Sequence, residues 1–170
     1  ADEFKKWIMD NPGKITYPTC DDTFGRRSVY MFSALVCGGD WHNGFNEKTT
    51  KAEVKKAMQP ALDWLVEVNP YLWQGGKNYP QSSDEWMKMF ANGEVANCFD
   101  WSAYGTAAKI AAGTYPDTAH DQFMDFGTLS GMGYLNVTFD APNVAGALCV
   151  IDGLLSPELQ YGMVRDTGYG

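Results

Sequence analysis

Phe90-Ala-Asn-Gly-Glu-Val-Ala-Asn-Cys-Phe-Asp-Trp-Ser-Ala-Tyr104 carries the clearest signals of fold in this chain. It predicts a helix end, a glycine turn, a short buried strand and the start of another helix. Gly93 suits the left-handed position that closes a helix. Val95 to Phe99 is short, mostly apolar and bounded by polar residues, as a strand inside an α/β layer is. Asp100 or Ser102 is placed to cap the next helix, and Ala103 to Ala112 is rich in helix formers despite Gly105. A strand end facing a helix N-terminus is where open α/β sheets bind ligands. That corner carries Asp100, Trp101, Ser102 and Tyr104. Read locally, the same residues also describe an ordinary turn whose Trp and Tyr cover the core.

Outward from this stretch, strands and helices are expected to alternate. Asp2 to Asp10 reads as a short amphipathic helix with Phe4, Trp7 and Ile8 on one face. Asn11-Pro12-Gly13 stops it, and Lys14 to Tyr17 is a β-rich run that Pro18 ends. A helix follows from Phe24 to Cys37, capped from within Thr19 to Thr23. Thr49 or Thr50 caps a longer helix through Val68, with Glu53 completing a capping box. Pro60 is expected to kink or divide it. Ser82 or Ser83 caps a helix from Asp84 to Ala91. Phe126 to Ser130 and Gly133 to Phe139 are strand candidates, the second alternating from Leu135 onward. Val144 to Leu155 is an apolar helix, and Ser156-Pro157 starts another from Glu158 to Arg165. The expected fold is therefore α/β: one domain over residues 1–170, with a small central sheet flanked by helices.

Composition narrows the function. The chain has 170 residues, 45% of them hydrophobic and 20% charged, a globular balance. Its net charge of -8 and its lack of a Lys/Arg cluster argue against nucleic acid and against anionic membrane surfaces. No run approaches the roughly 20 apolar residues of a membrane span. Cys20, Cys37, Cys98 and Cys149 are not in a metal or redox spacing. Cys20 and Cys98 both fall at expected strand ends, so a bridge between them and four separate thiols are both open. His42 and His120 lie in expected loops, away from any serine or cysteine in a catalytic arrangement. No metal or cofactor motif is present, and no cofactor is expected.

Two motifs then stand in order: Phe90-Ala91-Asn92-Gly93-Glu94-Val95-Ala96, and Ala141-Pro142-Asn143-Val144-Ala145-Gly146-Ala147 followed by Leu154-Leu155-Ser156-Pro157-Glu158-Leu159-Gln160. Together they resemble the extracytoplasmic substrate-binding proteins of ABC transporters, which have the type II periplasmic-binding-protein fold. Asn11 to Pro18 and Tyr71-Leu72-Trp73 with Gly76 and Tyr79-Pro80 resemble a bacterial subgroup whose solute is unassigned. The resemblance covers nearly the whole chain. It implies one lobe, excised from a two-lobed protein, that closes on a small-molecule solute without catalysis. The second lobe and an ABC permease in the membrane are its implied partners, with no nucleic acid. The implied location is periplasmic, or extracytoplasmic as a lipoprotein.

Three corners are available for the solute: Pro18 to Phe24, Asp100 to Tyr104, and Gly131 to Tyr134. The candidate ligand-binding residues are Tyr17, Thr23, Phe24, Asp100, Trp101, Ser102, Tyr104 and Tyr134. Trp101, Tyr104 and Phe24 would form an aromatic wall, and Asp100, Asp21 or Asp22 beside it would suit a cationic or heteroaromatic solute. Asp21 and Asp22 serve equally well as helix caps. Thr19-Cys20-Asp21-Asp22-Thr23-Phe24 departs from the small and hydroxyl residues that relatives carry after the Tyr-Pro. The alternative function is a small α/β hydrolase or transferase using Asp100 or Asp22 as a strand-end base.

Overall fold

The computed structural model describes residues 1–99, 105–122, 124–127 and 134–167. They fall into two units: 1–99 with 122 and 124–127, and 105–121 with 134–167.

The first unit is built from four helices: α1 (Asp2–Asp10), α2 (Thr23–Cys37), α3 (Lys51–Val68) and α4 (Ser83–Ala91), with two 3-10 turns, Asn69–Tyr71 and Trp73–Gly76, between α3 and α4. The helix starts are set by local chemistry. Thr50 Oγ1 accepts from the Glu53 N–H (3.3 Å), and the Glu53 carboxylate accepts from the Thr50 N–H (2.7 Å), a reciprocal cap on α3. Ser82 Oγ accepts from the Glu85 N–H at the head of α4 (3.2 Å). Gly93, at φ +74, turns the chain out of α4. α3 runs unbroken through Pro60, against expectation. Pro60 lies on the exposed side, where water can serve the carbonyl that lacks its helical donor.

The core gathers on α3. Ile8, Ile15, Phe32, Trp64, Leu65, Val68 and Leu72 form one buried cluster. Phe4 stacks on Trp64 with centroids 6.2 Å apart. Lys5 pairs with Glu67 at the edge of this contact. Trp7, expected on the same face as Phe4 and Ile8, stands 40% exposed. A second cluster is centred on Trp86, Met89 and Val95, with Phe24, Phe90 and Phe99 against it.

The expected central sheet is absent: no β-strand occurs among the described residues. Three non-helical segments do meet at Lys14 to Tyr17, through isolated hydrogen bonds. On one side the Gly13 N–H donates to Tyr71 O (2.8 Å) and the Trp73 N–H to Ile15 O (2.9 Å). On the other, the Ala96 N–H donates to Lys14 O (2.7 Å). The next bonds of a ladder are taken by a side chain. Asn97 Oδ1 accepts from the Thr16 N–H (3.3 Å) and its Nδ2 donates to Thr16 O (3.1 Å). One amide thus occupies the groups a neighbouring strand would use. Pro18 has no N–H to extend the pairing, and beyond Trp73 the chain enters left-handed backbone at Gln74 and Gly75. The β-like composition of Lys14 to Tyr17 and Val95 to Phe99 reflects burial rather than pairing.

The second unit contains α5 (Gly105–Ala111), α6 (Val144–Leu154) and α7 (Pro157–Thr167). The Gly146 N–H donates to Asn143 Oδ1 (2.9 Å), capping α6, and the Leu159 N–H donates to Ser156 Oγ (3.3 Å), capping α7. Gln160 Nε2 reaches back to Leu154 O (2.6 Å) and holds α7 against the end of α6. Thr106 Oγ1 donates to the Asp121 carboxylate (2.6 Å), and Lys109 Nζ sits 5.0 Å above the Tyr115 ring. The described part of the strand candidate at 134–139 is irregular chain and pairs with no strand among the described residues. Tyr134, Leu135 and Phe139 stand exposed along it. Of the other candidate, 128–130 lie outside the described residues, and Asp125 and Phe126 form a turn.

Candidate functional site

Of the three expected corners, Pro18 to Phe24 is described in full. Asp100, Trp101, Ser102 and Tyr104 lie outside the described residues, as do Gly131, Met132 and Gly133. Tyr134 belongs to the second unit and is 75% exposed. The structure therefore brings together Tyr17, Thr23 and Phe24.

This corner is organised by Asp22. Its Oδ1 accepts from the Phe24 N–H (2.6 Å) and caps α2; its Oδ2 accepts from the Ser83 N–H (3.1 Å) in the first turn of α4. One carboxylate thus serves two helix N-termini, both of which favour negative charge. A free anion has no advantage at a helix end already holding a carboxylate. Arg26 closes the loop from the other side. Its guanidinium donates to Cys20 O (2.8 Å), Asp21 O (3.0 Å) and Thr23 Oγ1 (3.1 Å). Gly25 lets the loop sit on the helix: a β-carbon there would come within 2.1 Å of Thr19 O. The Thr19 N–H in turn donates to Pro80 O (2.9 Å).

The three candidate side chains have different surroundings. Tyr17 is half-buried, its ring 5.5 Å from Phe32 and 5.1 Å from Tyr79. Burial first, and the Tyr79 phenol second, push the Tyr17 hydroxyl well above its ordinary range, so it stays protonated as a hydrogen-bonding group. Tyr79 donates to the Asn69 side chain. Phe24 packs toward Trp86. Thr23 is exposed and holds Arg26.

Sequence reasoning missed the second use of Asp22, because Ser83 lies 61 residues away and no local pattern joins them. It also missed three buried polar atoms around this part of the chain: Thr16 Oγ1, Thr19 Oγ1 and Trp86 Nε1 have no hydrogen-bond partner among the described residues. Unpaired buried groups of this kind mark places where a water or a ligand group supplies the missing bond. No signal in the sequence separates them from ordinary core residues.

Elsewhere, no group of His, Cys, Asp and Glu among the described residues is arranged to hold a metal ion. Tyr30, Trp41, His42 and Phe45 form an aromatic cluster at the end of α2, with Tyr30 5.0 Å from Trp41 and 5.5 Å from His42. No disulfide joins the four cysteines; Cys20 and Cys149 are exposed, and Cys37 and Cys98 half-buried. No helix among the described residues is long and apolar enough to cross a membrane.

The sequence pattern of the family described as bacterial extracellular solute-binding protein matches residues 1–170, the whole chain. The chain belongs to this family. A relative, Protein YnjB of Escherichia coli (strain K12), is 25% identical over 150 residues, which is 88% of this chain and 38% of that protein. The chain thus spans well under half of the curated relative it matches. No solved structure matches. The family's description is of extracellular proteins that bind a solute. The hydrolase or transferase reading gains no support from this family, and both oxygens of the Asp22 carboxylate are already engaged by N–H groups.

Proposed function

We propose that this chain is one lobe of an ABC importer's substrate-binding protein, capturing a small solute and handing it to a membrane permease. The observation that carries the reading is the match of the solute-binding family across all of residues 1–170. Two others support a single lobe: the chain spans 38% of its relative, and α6 buries none of its residues although it is apolar nearly all round. The second lobe closes the cleft in this reading, and the protein works in the periplasm or as an extracytoplasmic lipoprotein.

The solute contacts we assign are Tyr17, Thr23 and Phe24 at the Asp22 corner, together with Asp100, Trp101, Ser102, Tyr104 and Tyr134. Asp22 and the net charge of -8 support a cationic or heteroaromatic solute over an anion. The test is calorimetry of the complete two-lobed protein against a panel of small cations, heteroaromatics and anions. One of the first two classes should bind in the micromolar range, about -8 kcal/mol. Trp101→Ala and Tyr104→Ala should each weaken binding about tenfold or more, roughly 1.4 kcal/mol. Chemical conversion of the bound molecule, or preferential binding of an anion, overturns the reading.

A further inference from the structure

Asparagine is followed by glycine twice in the chain, at Asn43–Gly44 and Asn92–Gly93. Such a step is open to attack by the backbone nitrogen of the glycine on the asparagine side-chain amide, because glycine has no β-carbon to block the approach. The fold treats the two steps differently. Asn92 sits at the C-terminus of α4 in helical backbone (φ -83, ψ -3). Its N–H donates to Lys88 O (2.9 Å), and the Gly93 N–H donates to Phe90 O (3.0 Å). Asn43 lies in the turn after α2, and both Asn43 and Gly44 are exposed. The Asn43 N–H donates to Asp40 O (2.8 Å), but the Gly44 N–H donates to nothing among the described residues. The attacking nitrogen is committed at one step and uncommitted at the other.

We propose that Asn43 is a site of spontaneous modification to aspartate and isoaspartate, and that Asn92 is protected by the end of α4. In the first step the Gly44 nitrogen loses its proton and bonds to Asn43 Cγ. The Cγ–Nδ2 bond breaks, and ammonia leaves carrying the proton. The resulting succinimide takes up water at one of its two carbonyls. The product depends on which carbonyl is attacked: water at the side-chain carbonyl cuts the bond from nitrogen to Cγ, restores the ordinary main chain and leaves aspartate. Cutting the bond to the backbone carbonyl carbon leaves isoaspartate, with one more methylene in the main chain. Water is the only co-reactant, and nothing is oxidised or reduced.

The position gives the change a structural consequence. The new carboxylate stands next to His42, and the extra methylene falls between Trp41–His42 and Phe45. Trp41 packs on Tyr30 and, 5.8 Å away, on Phe45, while Trp41 Nε1 and His42 Nδ1 are buried without partners among the described residues. At those atoms no hydrogen bond resists a shift of the loop.

The experiment is incubation of the folded protein in mildly alkaline buffer, followed by peptide mapping for the amide-to-acid mass gain and for isoaspartate. The Asn43 peptide should convert at least about fivefold faster than the Asn92 peptide, equivalent to about 1 kcal/mol of barrier. In the denatured protein the two should convert at similar rates. Asn43→Gln should abolish the signal at this turn; it is preferred to Gly44→Ala, which would strain backbone at φ +90. Equal conversion of the two sites in the folded protein overturns the proposal. So does an Asn43 that stays intact while the denatured protein converts.

Discussion

α4 and α6 are both short helices rich in apolar residues, and they end in opposite states. α4 puts Trp86 and Met89 into a buried cluster and turns Asp84 and Glu85 outward. α6 has the sequence VAGALCVIDGL, carries more apolar surface, and has no fully buried residue. Trp86 is 0% exposed and Leu148 54%. Apolar content alone therefore does not make a core. α4 has one apolar face, and the first unit supplies Val95, Phe24 and Phe99 to cover it. α6 is apolar nearly all round, a pattern suited to a helix with neighbours on several sides.

Truncation on each helix tests this contrast most directly. Trp86→Ala should cost about 3–5 kcal/mol of unfolding free energy in urea. Leu148→Ala should stay within about 1 kcal/mol. Equal losses would mean that α6 is buried in solution. The next test concerns how the first unit replaces a sheet. Asn97→Ala leaves the N–H and C=O of Thr16 unpaired in a fully buried place, where water cannot substitute, so a loss of about 2–3 kcal/mol is expected. A smaller loss, about 1–2 kcal/mol, is expected for Asp22→Ala, because Asp22 and Ser83 are half-buried and water can reach the freed donors. Asp22→Ser should recover the part belonging to α2 and leave the contact to α4 broken.

The smallest effect expected is a pH dependence at the head of α3. The Thr50 N–H first, and the Thr50 hydroxyl second, lower the pKa of Glu53 below its ordinary value. A carboxylate lowered on folding binds its proton more readily in the unfolded chain, so stability rises with pH. The contribution is present above the unfolded value of about 4.3 and is lost as pH falls through the folded value. Glu53→Gln should reduce the stability lost on acidification through this window, as read by thermal melts at a series of pH values.

Much of the helical layout is legible in the sequence. Thr50 with Glu53, Ser82, and Ser156 with Pro157 mark the starts of α3, α4 and α7 through contacts spanning a few residues. The absence of a sheet is not legible there. Lys14 to Tyr17 and Val95 to Phe99 have strand composition, yet a strand exists only where a second backbone supplies a register of bonds. Asn97 supplies a side chain instead. Pro60 misleads for a related reason: whether a proline divides a helix depends on what can serve the freed carbonyl, and exposure decides that. Of the candidate site, the Tyr17–Thr23–Phe24 corner follows from its β-rich run and the cap after it. The bridge from Asp22 to α4 and the unpaired Thr16, Thr19 and Trp86 do not, since they depend on segments distant in the chain.

Where most helices begin is a property of the sequence, because a cap is a short-range bond between residues a few positions apart. So is the solute-binding family, carried by motifs spread along the chain. Three features belong to the tertiary structure: the segments around Lys14 to Tyr17 do not join into a sheet, Asp22 serves two helices, and Trp86 is buried while Leu148 is not. Each depends on which distant groups satisfy a hydrogen bond or cover an apolar face, and pairing over that distance has no local pattern in the sequence.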